Sequence, residues 1–188
     1  MQLPLIDNTW TLFIDRDGVI NHEKKEDYIL NWEEFKFYNS VEEAMQILSG
    51  IFGIIVMVTN QRGVGKQLMS EGDLNNIHSN MLQAITAAGG RIDKIYCCTS
   101  LDNNHVERKP NPGMAHRAKQ EFKQIDFAKS LMVGNKLSDM GFGRNAGIGT
   151  VYVDTTNPET PQPHPMIDFR FPDLYSFALA VQSVVMKP

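Results

Sequence analysis

The sequence holds only two cysteines, Cys97 and Cys98, and they are neighbours. Adjacent cysteines bridge each other only under strain, so a disulfide framework is excluded and a reducing compartment is expected. No apolar run approaches the ~18 residues that a membrane span needs. The start, Met1-Gln2-Leu3-Pro4-Leu5-Ile6-Asp7, has no basic stretch leading into an apolar one, so no secretory signal is expected. A basic surplus is missing too. Lys and Arg number 18 against 22 Asp and Glu, a net charge of −4, which leaves nothing to displace counterions along a nucleic acid. These absences point to a cytoplasmic protein with neither nucleic acid nor membrane as partner. What remains is ordinary: 188 residues, 42% hydrophobic and 21% charged, enough for one domain over 1–188 with a full core.

The chain is organised around Thr11 to Asn21. Leu12-Phe13-Ile14 has the length and composition of a buried parallel strand. It stops at Asp15-Arg16-Asp17-Gly18, two carboxylates one residue apart and then a glycine that lets the backbone turn. Two such groups repel each other and are poorly solvated at a sheet end, a setting that suits a divalent cation and a phosphoryl group. An acidic turn after a strand is the plain alternative.

Further buried strands are expected at Ile54–Val58, 92–99, Ser130–Gly134 and Thr150–Asp154, with helices over about 40–49, 70–88, 112–122 and up to Ala146. Ser40 is expected to cap the first helix, and Asp173 a last one through Leu174, Phe177 and Val181. Asn21 to Glu34 is polar, with Glu23, Lys24, Lys25, Glu26 and Asp27. Tyr28-Ile29-Leu30 and Phe35 to Tyr38 are expected to pair as two short strands of a flap. Thr155 to Pro165 carries four of the nine prolines and is expected to be a connecting loop. Strands alternating with helices imply right-handed crossovers, one mostly parallel sheet and helices on both faces, a three-layer α/β fold.

Polar residues then converge. Asp15 and Asp17, Thr59 and Asn60, Arg108 and Lys109, and Asn135 and Asp139 each follow a strand, and this architecture sets all four strand ends along one edge. Each group alone has a dull explanation; four at successive strand ends call for a shared ligand.

These residues resemble the haloacid dehalogenase superfamily of phosphatases over about residues 10–154. Asp15-Arg16-Asp17-Gly18-Val19 matches its first motif, Thr59 the hydroxyl residue of the second, Lys109 the lysine of the third, and Gly134-Asn135-Lys136-Leu137-Ser138-Asp139 the acidic fourth. Within the superfamily the chain is similar to the D-glycero-D-manno-heptose 1,7-bisphosphate phosphatases through Thr59-Asn60-Gln61, Arg108 to Met114 and Val133 to Met140. It shares much of this pattern with the histidinol-phosphate phosphatases.

The resemblance implies a Rossmann-like fold and a Mg2+-dependent phosphomonoesterase acting on a small phosphorylated metabolite. Asp15 would be the nucleophile that forms an aspartyl-phosphate, and Asp17 the acid and base. Thr59 and Lys109 would hold the phosphoryl oxygens. Asn60, Gln61 and Arg108 would contact substrate. Asp15, the Asp17 carbonyl, Asn135 and Asp139 would form the Mg2+ shell. The intervals from Asp17 to Thr59 and from Asn60 to Lys109 are too short for an inserted cap domain, so a capless, open site and a monomer are expected.

Two departures stand out. The family's zinc loop before Arg-Lys-Pro is reduced here to Cys97, His105 and Glu107, too few ligands for structural zinc, and a metal-free loop is expected. His22, His78, His116 and His164 show no ligand spacing and read as surface or packing residues. Asn135 stands where the family has a metal-binding aspartate and brings an oxygen without charge. Heptose 1,7-bisphosphate is the leading substrate. Histidinol phosphate or another small phosphomonoester is the second reading, and a phospho-ligand-binding relative with little turnover is the third.

Overall fold

The computed structural model describes residues 3–24 and 27–185. The order of elements is β1 (Thr11–Ile14), α1 (Val41–Ser49), β2 (Ile54–Asn60), the short α2 (Arg62–Gly65), α3 (Glu71–Ala87), β3 (Lys94–Cys98), α4 (Gly113–Glu121), β4 (Ser130–Gly134), α5 (Leu137–Ala146), β5 (Gly149–Val153), β6 (Phe169–Phe171) and α6 (Leu174–Val185). The six strands make one sheet in the order β3-β2-β1-β4-β5-β6, and every neighbouring pair is parallel.

Because β1 is paired with both β2 and β4, the chain winds outward from it in two directions. That makes the carboxyl ends of β1 and β4 the topological switch point, where doubly wound sheets leave a crevice. Alternate residues of the strands feed two cores. Leu12, Ile14, Ile55, Met57, Leu131 and Val133 pack with α1, α3 and α6 on one face. Phe13, Val56, Val58 and Met132 pack with Met114 and Ala118 of α4 and Phe142 of α5 on the other. The expected three-layer parallel α/β fold is what forms, and among the described residues neither interval between the motifs carries an inserted domain.

Two expectations need correction, and one strand goes beyond them. Tyr28–Leu30 and Phe35–Tyr38 form no strands; among the described residues, Phe37 makes an isolated bridge with Asn21. Apolar residues there signal burial rather than a ladder. Trp32 stacks on Phe35 at 5.0 Å, Phe35 meets Phe37 edge-on at 5.0 Å, and the Leu30 N–H donates to the Glu34 carboxylate. Lys25 and Glu26 of the same stretch lie outside the described residues. Ser40 precedes α1 in the left-handed region (φ 58°), and its side chain makes no cap bond. The segment after Asp154 also contributes a strand: beyond the proline-rich loop, β6 adds to the sheet edge. Asp173 does cap α6, its carboxylate accepting from the Ser176 N–H at 2.7 Å.

Candidate active site

At the switch point lies a cavity of about 550 Å3. Asp15, Asp17, Thr59, Asn60, Gln61, Arg108, Lys109 and Asp139 line it, so eight of the nine residues expected at the site face one space. Asn135, the ninth, is fully buried just behind the wall, and Lys136 and Asn157 line the cavity on its side.

The floor is a chain of alternating charge. Lys109, 3% exposed, places its ammonium 2.8 Å from Asp15 Oδ1 and 2.7 Å from Asp139 Oδ1. Asp139 is anchored from behind: its Oδ2 accepts the N–H groups of Asn135 (3.1 Å) and Lys136 (3.0 Å), closing the turn into α5. That turn requires glycine at 134, since a Cβ there would sit 2.2 Å from Asp139 Cβ. Burial pushes the Asp15 carboxyl up, to about 7, with the Asp139 and Asp17 charges adding to the rise and Lys109 opposing it. Burial alone would lower Lys109, but Asp139 and Asp15 hold it above the usual lysine range.

Asp17 has the opposite surroundings. Burial would raise its pKa, but donors and the Arg16 charge outweigh that and hold it below the usual range. Its Oδ1 accepts from Arg16 Nη2 (3.0 Å) and Asn21 Nδ2 (3.0 Å), and its Oδ2 from Gln61 Nε2 (2.8 Å). Gln61 also donates to Thr59 Oγ1 at 2.9 Å, so one side-chain amide ties the end of β2 to the end of β1. Sequence reasoning gave Arg16 and Asn21 no role. The signal was there: a residue wedged between two motif aspartates, and an asparagine four residues past the second.

Asn60 works as a clip. Its Nδ2 donates to the Lys109 carbonyl (3.2 Å) and its Oδ1 accepts the Lys109 N–H (3.1 Å), so its amide holds the lysine's backbone from both sides. Arg108 and Arg62 flank the cavity, and Arg108 Nη1 and Arg62 Nε are buried without partners. The remnant of the zinc loop splits across the sheet. Cys97 packs with the core on the α3 face and Cys98 with the core on the α4 face, and it is Cys98 Sγ that sits 3.6 Å from His105 Nδ1.

Magnesium is implied by the motifs, and the residues fit it. No group of three or more His, Cys, Asp or Glu side chains suited to a metal occurs among the described residues, so a cation here must draw on amide and carbonyl oxygens as well as carboxylate. Asn135 Oδ1 is such an oxygen, buried and without a donor, while its Nδ2 donates to Thr156 Oγ1. Gly18, at φ +85°, lets the backbone pass against that amide; a Cβ would lie 2.0 Å from Asn135 Nδ2. All donors are hard oxygens, and a cation beside the buried, raised Asp15 would restore its ionised form.

The family described as polynucleotide kinase 3 phosphatase matches residues 10–175. A D-glycero-alpha-D-manno-heptose-1,7-bisphosphate 7-phosphatase of Campylobacter jejuni is 38% identical over 143 residues, covering 76% of this chain and 81% of that protein. A D-glycero-beta-D-manno-heptose-1,7-bisphosphate 7-phosphatase of Escherichia coli is 32% identical, covering 91% and 93%. Among solved structures, the D,D-heptose 1,7-bisphosphate phosphatase of B. bronchiseptica, complexed with magnesium and phosphate, superposes with a TM-score of 0.84 at 26% identity over 93% of this chain and 98% of that one. With the ordered motifs, the capless parallel sheet and these relatives in agreement, the chain belongs to the haloacid dehalogenase superfamily of phosphatases, in the family of the heptose bisphosphate phosphatases.

Proposed function

We propose that this phosphatase hydrolyses D-glycero-D-manno-heptose 1,7-bisphosphate with Mg2+, through an aspartyl-phosphate on Asp15. The observation that carries the substrate is the pair of guanidiniums at the cavity wall. Arg62 and Arg108 both line the cavity, and a single phosphoryl group at Asp15 and Lys109 would leave these two positive charges without an anion. A second phosphate answers them, since guanidiniums hold phosphate through paired charge-assisted hydrogen bonds.

In this reading Asp15 attacks phosphorus as the bond to the leaving oxygen breaks. The electron pair stays on that oxygen, and Asp17 donates the proton that neutralises it. Asp17 is the anion in the free protein, and its proton is acquired when the phosphate dianion enters beside it, because a like charge disfavours its ionised form. In the second step Asp17 takes a proton from water, whose oxygen attacks the aspartyl-phosphate and releases phosphate and free Asp15. Thr59 Oγ1 accepts from Gln61 and so keeps its own proton for a phosphoryl oxygen. Lys109 places its charge on the transferring group, and Asp139 holds Lys109 there. Mg2+, held by the Asp15 carboxylate, the Asp17 carbonyl and Asn135, would supply the positive charge that lets a carboxylate approach a phosphate dianion. Two free thiols and the absence of a disulfide among the described residues support a cytoplasmic setting.

Phosphate release from the two anomers of heptose 1,7-bisphosphate and from histidinol phosphate, each with Mg2+ and with chelator, tests the reading. Release from a heptose bisphosphate that exceeds release from histidinol phosphate in kcat/KM and vanishes with chelator is expected. Faster release from histidinol phosphate overturns the substrate, and no release from any of them overturns the hydrolase reading in favour of ligand binding.

A further inference from the structure

Arg16 is 1% exposed and is among the largest side chains to be so completely enclosed. A guanidinium stays protonated at any ordinary pH, so burying one is costly unless each face of its fork is met. Two faces are met by Asp17: Nε lies 3.3 Å from Oδ1, and Nη2 lies 3.0 Å from both Oδ1 and Oδ2. The third is met from the far side by His78 of α3, whose Nε2 lies 3.1 Å from Nη1. Arginine has no lone pair to offer, so Nε2 must be the acceptor, the ring proton must sit on Nδ1, and His78 is neutral. Its pKa is depressed to about 4 by burial and then by the Arg16 charge, in agreement with that assignment.

We propose that Arg16 and His78 form a buried positioning pair that locks the orientation of the Asp17 carboxylate for proton transfer. The proposal rests on the role of Asp17 given above. With Asn21 and Gln61 the fork loads both oxygens, so rotation of the carboxylate about Cβ–Cγ would break bonds on each side at once. His78 sets where the fork can lie, because moving the guanidinium toward solvent would strand Nη1. The imidazole itself stands on a well-fixed element. Ser70 and Asp73 make a reciprocal cap at the start of α3, and Leu74, Ile77 and Met81 bury its inner face. Neither residue touches the reacting atoms in this scheme; both act through Asp17.

A positioning role and a packing role differ in how they respond to the leaving group. Heptose 1,7-bisphosphate expels an alkoxide that needs the proton from Asp17, whereas p-nitrophenyl phosphate expels a phenolate that does not. Because Asp17 also activates the water in the second step whatever the leaving group, the contrast is read in kcat/KM, which reports on the first step alone: we expect His78→Leu to lower kcat/KM on the bisphosphate by about 10–100-fold and on p-nitrophenyl phosphate by less than about threefold. His78→Gln, whose Oε1 can accept from Nη1, should recover most of the loss. Asp17→Asn provides the benchmark, with a still larger leaving-group effect. If Asp17→Asn is selective but His78→Leu slows both substrates equally, or if Gln rescues no better than Leu, the positioning proposal is overturned while the acid role stands. If Asp17→Asn itself shows no leaving-group dependence, the acid role falls and the pair has nothing to position.

Discussion

The two aspartates that leave the end of β1 are separated by a single residue and stand in opposite surroundings. Asp15 is enclosed with a second carboxylate, Asp139, and shares one lysine with it; its carboxyl is pushed up to about 7. Asp17 is only partly buried, meets a guanidinium and two side-chain amides, and is held below the usual range. Identical side chains are driven apart by what each neighbour donates, and such divergence is how one site assigns different tasks to a pair of carboxylates. Asp15 is short of positive charge and calls for a cation; Asp17 has donors on both oxygens and is held still.

The strongest way to break this contrast is to remove the proposed nucleophile, Asp15. Asp15→Asn should lower phosphate release by at least about 10^4-fold, because a nucleophile's loss forfeits the whole covalent route. The thermal midpoint should not fall, since the neutral amide relieves the repulsion with Asp139. A rate within tenfold of the wild type rules out the aspartyl-phosphate. Next comes the shared lysine. Lys109→Met leaves two buried carboxylates facing each other and should cost about 3–5 kcal/mol of stability, with kcat down by roughly 10^2–10^3-fold. Adding Asp139→Asn should return most of the stability, measured by urea unfolding, and little of the rate. If the double variant is as unstable as the single one, the charge chain is not what Lys109 maintains.

On the Asp17 side the contrast sharpens with acid. The folded His78 pKa, about 4, lies below the unfolded value of about 6.5. Between those values the unfolded chain binds a proton that the native protein does not. His78 therefore contributes nothing adverse above pH 6.5, and stability falls as pH drops from 6.5 toward 4, by up to about 3 kcal/mol. Urea midpoints from pH 7 to 4.5 should decline less steeply in His78→Gln than in the wild type; parallel declines would sink the neutral-histidine assignment. The smallest effect concerns Asn135. Asn135→Asp adds charge beside Asp15, and Thr156 can turn its hydroxyl to donate, so the change keeps a partner. We expect the Mg2+ concentration for half-maximal activity to drop roughly three- to tenfold, offset in part by desolvation and by repulsion from Asp139. Superimposable Mg2+ titrations of the two proteins remove Asn135 from the metal shell.

How legible all this was depended on which force governs each segment. β1, β2, β4 and β5 announce themselves because strands buried on both faces must be apolar throughout, and Ser130–Gly134 agrees to the residue. β6 was missed because Phe169-Arg170-Phe171 is an edge strand of three residues, too short for any period, and Arg170 reaches back to Asp154 rather than showing a buried pattern. The supposed flap strands failed for the converse reason: aromatic residues that pack on each other look, in one dimension, like residues that pair. At the candidate site, the residues that line the cavity were readable because polar types stand there at the ends of apolar strands. Arg16, Asn21 and the inward task of His78 were not, since a lone histidine on a helix gives no hint that a guanidinium reaches it from a loop 62 positions earlier.

The Asn60 clip carries one more consequence. A side-chain amide that bonds both the N–H and the carbonyl of Lys109 mimics the peptide of a neighbouring strand, so Lys109 is effectively stitched into the sheet although it belongs to a loop. The ten residues between β3 and Lys109 are thereby released from the task of aiming the lysine. They form a module with fixed ends, free to lengthen, shorten, gain a metal or lose one without disturbing the catalytic floor. A side chain of four heavy atoms gives this scaffold a place where new leaving-group selectivity can be tried without putting the chemistry at risk.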